Sequence, residues 1–339
     1  MIARRDRLAY RVDVFAFLPL VAASIATASP AAPPPQADDQ AASFEALRAI
    51  DLRLATIAHR LVTANAPLCR ETAPATGLVL QAETQYDAGS LASARKVFGF
   101  ATPIAVEAVV AGSPAARAGV HANDGVTAIE SQPLTATATP PSSADRDAAL
   151  GVLEQQGTPV RLTIVRDGKR QDVQIPAEPG CRSRFEVVLG TKMTALSDGK
   201  VVQIGVRFFE RYRDDETAVI VAHELAHTIL KHRIRLEAAG VKGGLLRELG
   251  RNAALSQKVE LEADVLGVAL LYNAGYDPAS AARFWRDNGD DIDGGIFRSR
   301  THPATRRRIA AIEAAAAAIP PGKRPYTPQI LAQRDMPLS

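Results

Sequence analysis

Between Ala218 and Leu230 the chain is apolar almost throughout, yet it carries two histidines and a glutamate in His223-Glu224-Leu225-Ala226-His227. Residues four apart lie about 40° apart around an α-helix, so the two imidazoles point to one side. A helix that is apolar on nearly every face is a buried one. Burying charged groups is costly unless they are paired or hold a metal. The chain must therefore enclose this helix. The enclosed H-E-x-x-H pattern predicts a Zn²⁺ site, with His223 and His227 as metal ligands and Glu224 as the base that takes a proton from the attacking water.

A catalytic zinc needs a third protein ligand and one open position. One known pattern places a glycine three residues, and a histidine six residues, after the second histidine. Leu230 and Arg233 stand there instead, so that pattern fails. The other takes a glutamate from a later helix, and both Glu260 and Glu262 qualify. Two residues apart, they would point to nearly opposite sides of their helix. His232 follows His227 by five residues, about 140° round a continuous helix, and is not expected to reach the same metal. His59 is expected to be a partly exposed histidine on the N-terminal helix, and His121 a solvated one.

The first residues bear on the compartment. Arg4, Arg5, Arg7 and Arg11 precede an apolar stretch from Val14 to about Ala26, and Ala26-Thr27-Ala28 follows. This is the form of a cleaved secretory signal peptide over residues 1–28, which predicts a periplasmic protein; an uncut N-terminal anchor facing the same compartment is the alternative. The whole chain has 40 Lys+Arg against 37 Asp+Glu, a net charge of +3. No basic stripe with interleaved aromatics is present, so nucleic acid is excluded as a partner. Asp287–Gly295 is acidic and glycine-rich, but no frame of it fits a calcium-binding loop.

Beyond the signal, residues 29–40 read as a proline-rich linker. Phe44, Leu47, Ile50, Leu54, Ile57 and Leu61 then recur at helical spacing, predicting an amphipathic helix over 41–66 that needs a partner surface. Residues 74–181 contain short β-type runs. Arg166-Asp-Gly-Lys169 predicts a tight hairpin between Leu162–Val165 and Asp172–Ile175. Residues 182–320 are mainly helical after a short hairpin, with helices expected over Val259–Asn273 and Thr305–Ile319. Residues 321–339 are expected to form an extended, loosely held tail. The fold class is therefore α+β, a small β-rich domain followed by a mainly helical one.

Two resemblances sharpen this reading. Val106–Val120, with Ser113-Pro-Ala-Ala116 and Ala118-Gly119, followed by Asn123-Asp-Gly125, resembles a bacterial PDZ domain. The likeness implies peptide recognition by strand addition, with Phe98, Gly99 and Phe100 as the carboxylate-receiving loop. Ala222–His227 with Lys231-His232, then Glu260-Leu-Glu-Ala-Asp264, Tyr272–Pro278, Thr301-His-Pro303 and Arg308, resemble the M48 family of zinc metallopeptidases, which are gluzincins. The family's E-x-x-x-D motif maps onto Glu260 and Asp264. It implies Glu260 as the third ligand, Asp264 and Arg308 as an outer pair behind the ligands, and Glu262 as an ordinary helix charge. It further implies that His302 approaches the metal, as an inhibitory fourth ligand or as a donor to the transition state, and that the strand Val201–Val206 offers a sheet edge to substrate.

Together these readings imply a Zn²⁺-dependent endopeptidase of the bacterial cell envelope. It would cleave unfolded or misassembled proteins, with the PDZ-like domain recruiting or gating them. The alternative is a protease-like adaptor whose site His302 keeps closed. Expected partners are protein or peptide substrates, with peripheral association to envelope membrane proteins. In an oxidising compartment Cys69 and Cys181, which flank the PDZ-like block, are expected to form a disulfide.

Overall fold

The computed structural model describes residues 37–241, 250–293 and 301–338. The signal-peptide reading, most of the proline-rich linker, and the glycines at 243 and 244 lie outside them. No helix among the described residues is long and apolar enough to cross a membrane.

Helix α1 (Ala37–Ala64) starts four residues before the predicted helix, inside the expected linker. Its apolar stripe is buried, with Leu54, Ile57 and Leu61 at 2% exposure or less. The surface it covers is that of the C-terminal helices, because these residues share one core with Phe208, Val221, Leu225, Leu266 and Trp285. The framework of the helical domain thus includes a helix that precedes the β-rich block in sequence.

The block itself runs through β1 (Thr72–Ala75), β2 (Leu78–Ala82), α2 (Leu91–Phe98), β3 (Ile104–Val109), α3 (Pro114–Arg117), β4 (Gly125–Ile129), β5 (Gln132–Pro133), α4 (Ala144–Leu153), β6 (Val160–Arg166), β7 (Lys169–Ile175) and β8 (Glu178–Cys181). Its main sheet is antiparallel in the order β2-β3-β4-β6-β7. Arg166 pairs with Lys169, and Asp167 and Gly168 both have positive φ, so the predicted two-residue hairpin forms. The block has a separate core of Leu80, Ile104, Val106, Ile129, Leu162 and Ile164. At its base β1 pairs with β8, bringing Thr72 opposite Cys181. Beside that pair Cys69 and Cys181 form the expected disulfide, with Cα atoms 5.4 Å apart.

The chain then returns to the helical part through β9 (Arg184–Val188), β10 (Ala195–Ser197) and β11 (Val201–Gly205), followed by α5 (Val206–Arg211), α6 (Asp214–Ile229), α7 (His232–Ala238), α8 (Gly250–Asn273), α9 (Ser280–Asp293) and α10 (Thr305–Ala317). The three strands are ordered β10-β11-β9, with β11 antiparallel to β10 and parallel to β9. Val201–Gly205 is therefore the central strand and has no free edge, contrary to the expectation for it. The free strand beside α6 is β10.

Helix α8 begins at Gly250, earlier than the Val259 start expected from the sequence. The tail also differs from its prediction. Residues Gln329–Asp335 form a 3₁₀ helix, and Leu331 and Leu338 are buried. Asn273 accepts the Tyr326 N–H at 2.7 Å, Arg334 donates to the Leu68 carbonyl at 2.7 Å, and Arg235 donates to the Met336 carbonyl at 3.0 Å. Prolines exclude a long α-helix here, but tail carbonyls still accept from Arg235 and Asn273 of the helical framework, and Arg334 of the tail donates back to it.

Candidate metal centre

Helix α6 opens with Asp214, Asp215 and Glu216, whose charges suit a helix N-terminus. The Glu216 carboxylate accepts the Arg213 N–H at 3.0 Å, satisfying a backbone donor at the N-cap. From Thr217 to Ala226 every residue is buried, including His223 and Glu224. Helix α8 packs against it and carries Glu260, Glu262 and Asp264, all buried. Helix α10 brings Arg308, which is 2% exposed.

The donor atoms converge. His223 Nε2 and His227 Nε2 are 3.1 Å apart, His223 Nε2 and Glu260 Oε2 are 3.3 Å apart, and His227 Nε2 and Glu260 Oε1 are 3.6 Å apart. Zinc bonds of about 2.0–2.1 Å in tetrahedral geometry place neighbouring donor atoms about 3.3 Å from one another. The three residues therefore fit a zinc ion in both donor chemistry and spacing. Of the two glutamates that the spacing left open, Glu260 faces this cluster and Glu262 does not.

The electrostatics of His227 and Glu260 suit a ligand set, whereas His223 has to give up a proton to join it. Burial holds the His227 imidazole well below its ordinary pKa, so its lone pair is free of a proton. Burial would raise the Glu260 carboxyl, but hydrogen bonding to His223 and the nearby His227 hold it well below the ordinary range. Burial also opposes charge on His223, yet the hydrogen bonds to Asp264 and Glu260 outweigh it and raise its pKa to about 10. Glu224 is pushed up to about 7, chiefly by burial. A base with its pKa near neutrality can both take and return a proton.

Both candidate ligand histidines are anchored from behind. His223 Nδ1 lies 3.0 Å from Asp264 Oδ1, and Arg308 donates to both oxygens of that carboxylate. His227 Nδ1 lies 2.8 Å from His232 Nδ1. His232 Nε2 lies 3.2 Å from Glu262 Oε2, an oxygen that also accepts from Arg235 at 2.6 Å. Glu262 is thus not an ordinary helix charge. His232 misses the metal, as expected, but not because it lies far round one helix. Helix α6 ends at Ile229, Lys231 takes a left-handed conformation at φ +54°, and His232 opens α7 with its ring turned back onto His227. The available signal was an acid two residues from Glu260 within an apolar helix, for which only a second polar partner could account.

His302 also reaches the site, with Nδ1 3.3 Å from Glu260 Oε2 and the side chain 42% exposed. Among the described residues, the group of metal-type donors that all lie close to one another is His223, His227 and Glu260, without His302.

Residues 244–316 match peptidase family M48. The matched stretch holds Glu260, Asp264, His302 and Arg308 and begins after the His223–His227 helix. Residues 80–176 match the PDZ domain. The mitochondrial metalloendopeptidase OMA1 of Schizosaccharomyces pombe is 28% identical over 122 residues, which make up 30% of this chain and 36% of that protein. The chain thus spans about a third of the length of the curated relative it matches.

The PDZ block does not use the loop expected from its sequence. Phe98 is fully buried against Phe44 and Tyr86, the Gly99 N–H bonds to the Arg95 carbonyl, and the Phe100 N–H bonds to the Phe98 carbonyl. Those amides end helix α2 and are not available to a peptide carboxylate. Of the two edges of the main sheet, β2 and β7, the first is preceded by Thr76-Gly77 and faces the helical framework. Gly77 has φ +79°, and a Cβ there would collide with Ser113. This edge faces a cavity of about 370 Å³ lined by Leu78 and Leu80 of β2, Leu150 and Leu153 of α4, Leu54 of α1 and Phe185 of β9. Asp51 and Glu107 also line it.

Proposed function

We propose that this protein is a zinc-dependent metalloendopeptidase of the bacterial cell envelope that acts on unfolded or misassembled proteins, with the PDZ block engaging the substrate chain. The observation that carries the reading is the closed set His223, His227 and Glu260, with buried Glu224 beside it on the same helix. The M48 match over residues 244–316 and the likeness to a metalloendopeptidase support it. The arginine-rich N-terminus followed by an apolar stretch and Ala26-Thr27-Ala28 supports export, as does the disulfide.

His223, His227 and Glu260 would hold the zinc. When bound, it supplies a Lewis acid that polarises the scissile carbonyl and makes water acidic near neutral pH. Glu224 takes the proton of the attacking water and delivers it to the leaving amine. Asp264 and Arg308 keep His223 in the tautomer that turns Nε2 toward the metal. An extended substrate can add to β10, the free edge beside α6, and to β2 in the PDZ block, where main-chain hydrogen bonds give affinity without demanding one sequence.

Glu224→Gln tests the reading. The variant is expected to bind zinc and an unfolded model substrate such as reduced casein, but not to cleave it. If wild type leaves that substrate intact and the variant behaves identically, the binder-type adaptor is the better account.

A further inference from the structure

The two zinc-facing histidines are supported by matched but unequal devices. His223 is backed directly by a carboxylate, Asp264, and that carboxylate by an arginine, Arg308. Among the described residues, no carboxylate contacts His227 Nδ1. The place is taken by a second histidine, His232, then the carboxylate of Glu262, then Arg235. His232, Glu262 and Arg235 are 1%, 5% and 6% exposed, and neither the H-E-x-x-H motif nor the E-x-x-x-D motif includes them.

The proton positions follow from the partners. Glu262 Oε2 accepts from Arg235 at 2.6 Å, so it is an acceptor toward its other neighbour too. His232 Nε2 must therefore donate to it. That leaves His232 Nδ1 as a lone pair facing His227 Nδ1, so His227 Nδ1 carries the hydrogen. A His227 protonated at Nδ1 has its Nε2 lone pair free, on the side of the ring that faces His223 and Glu260. Each link allows one tautomer, and the last tautomer is the one a metal requires.

We propose that His232, with Glu262 and Arg235 behind it, is the positioning group for His227, fixing its tautomer and ring orientation for zinc. The inference rests on the reading of His223, His227 and Glu260 as the metal site. The relay also ends on the C-terminal tail, because Arg235 Nε donates to the Met336 carbonyl and Lys231 pairs with Asp335. The tail thus buttresses a ligand histidine through the far side of α7.

The test uses the purified full-length chain and zinc affinity by competition with a chromogenic chelator, with unfolding of the metal-free protein followed in parallel. His232→Leu removes the acceptor behind His227 and is expected to weaken zinc binding about 10- to 100-fold. His232→Asn keeps an acceptor oxygen and is expected to recover part of that loss. Glu262→Gln keeps the shape but removes the charge, and is expected to weaken zinc binding and shift the visible absorption of the cobalt-substituted protein. It carries the test if His232→Leu does not fold. Zinc affinities within twofold of wild type for the folded variants would overturn the proposal, even if their stability falls. If wild type itself binds no stoichiometric zinc, or His223→Ala binds it equally well, the site reading fails first and the relay with it.

Discussion

Arg308 holds both carboxylate oxygens of Asp264, at 2.8 and 2.7 Å, while its guanidinium carbon lies 3.6 Å from the centre of the Trp285 ring. Both partners are buried, so the pair is safe only while complete. Removing one side leaves an uncompensated charge in the core, which costs about 3–5 kcal/mol. Arg308→Ala is expected to lose that much stability in urea titrations of the metal-free protein. Arg308→Lys is expected to recover little, because an ammonium cannot grip two oxygens in one plane. An unchanged midpoint would remove Asp264–Arg308 from the structural account.

His302 leans on Glu260 from a half-exposed position and stands outside the three-donor group. This favours a donor role over a fourth ligand. His302→Ala is expected to keep its zinc content and lower kcat on an unfolded substrate by about 10²–10³, the usual cost of losing one transition-state donor. A rise in activity would instead assign His302 to latency.

Cys69 and Cys181 close a loop with a sequence separation of 112 residues. Thiol titration of the unreduced, denatured protein is expected to find no free thiol. The double Cys→Ser variant is expected to lose about 2–4 kcal/mol, mainly because the unfolded chain is no longer restrained. Equal stability would mean that the framework packing alone holds the neck.

Asp51 and Glu107 form a carboxyl pair between α1 and β3. Burial is the main cause that raises Asp51 to about 6, and burial plus the Asp51 charge raise Glu107 to about 8. Both bind their protons more tightly folded than unfolded, so their contribution to stability is present in acid and is lost as pH rises through about 6 and then about 8. The melting temperature is expected to fall between pH 5 and pH 9. Glu107→Gln, neutral throughout, should flatten that slope; an unaltered slope would place the pH dependence elsewhere.

His223, Glu224 and His227 were legible because their chemistry is written at fixed spacing on one continuous helix, whereas spacing alone left Glu260 and Glu262 open and the E-x-x-x-D likeness chose Glu260. What surrounds them was less so. The role of His232 depends on a left-handed residue at Lys231, and a helical wheel drawn through that break points the ring the wrong way. Glu262 looked like a solvated charge because nothing local shows that both sides of α8 are covered. Phe98–Phe100 failed as a peptide loop because the aromatic cluster with Phe44 and Tyr86 joins segments far apart in sequence. Glu107 did carry a local signal, a lone acid inside the apolar run Ile104–Val110, but its partner Asp51 is on another element. The central place of β11 and the docking of the tail were set by long-range pairing, on which periodicity is silent.

The ends of the β-rich block meet at the disulfide, 5.4 Å apart, while α1 on one side and β9 on the other belong to the helical framework. The block is therefore a cassette spliced into the helical frame. A change of length within it need not move the two stretches of chain that bear it, because its ends stay bridged. By the same geometry, a nick anywhere within the cassette would leave both fragments covalently joined in one molecule. A cut in this half of the protein is thus expected to separate the fragments only after reduction.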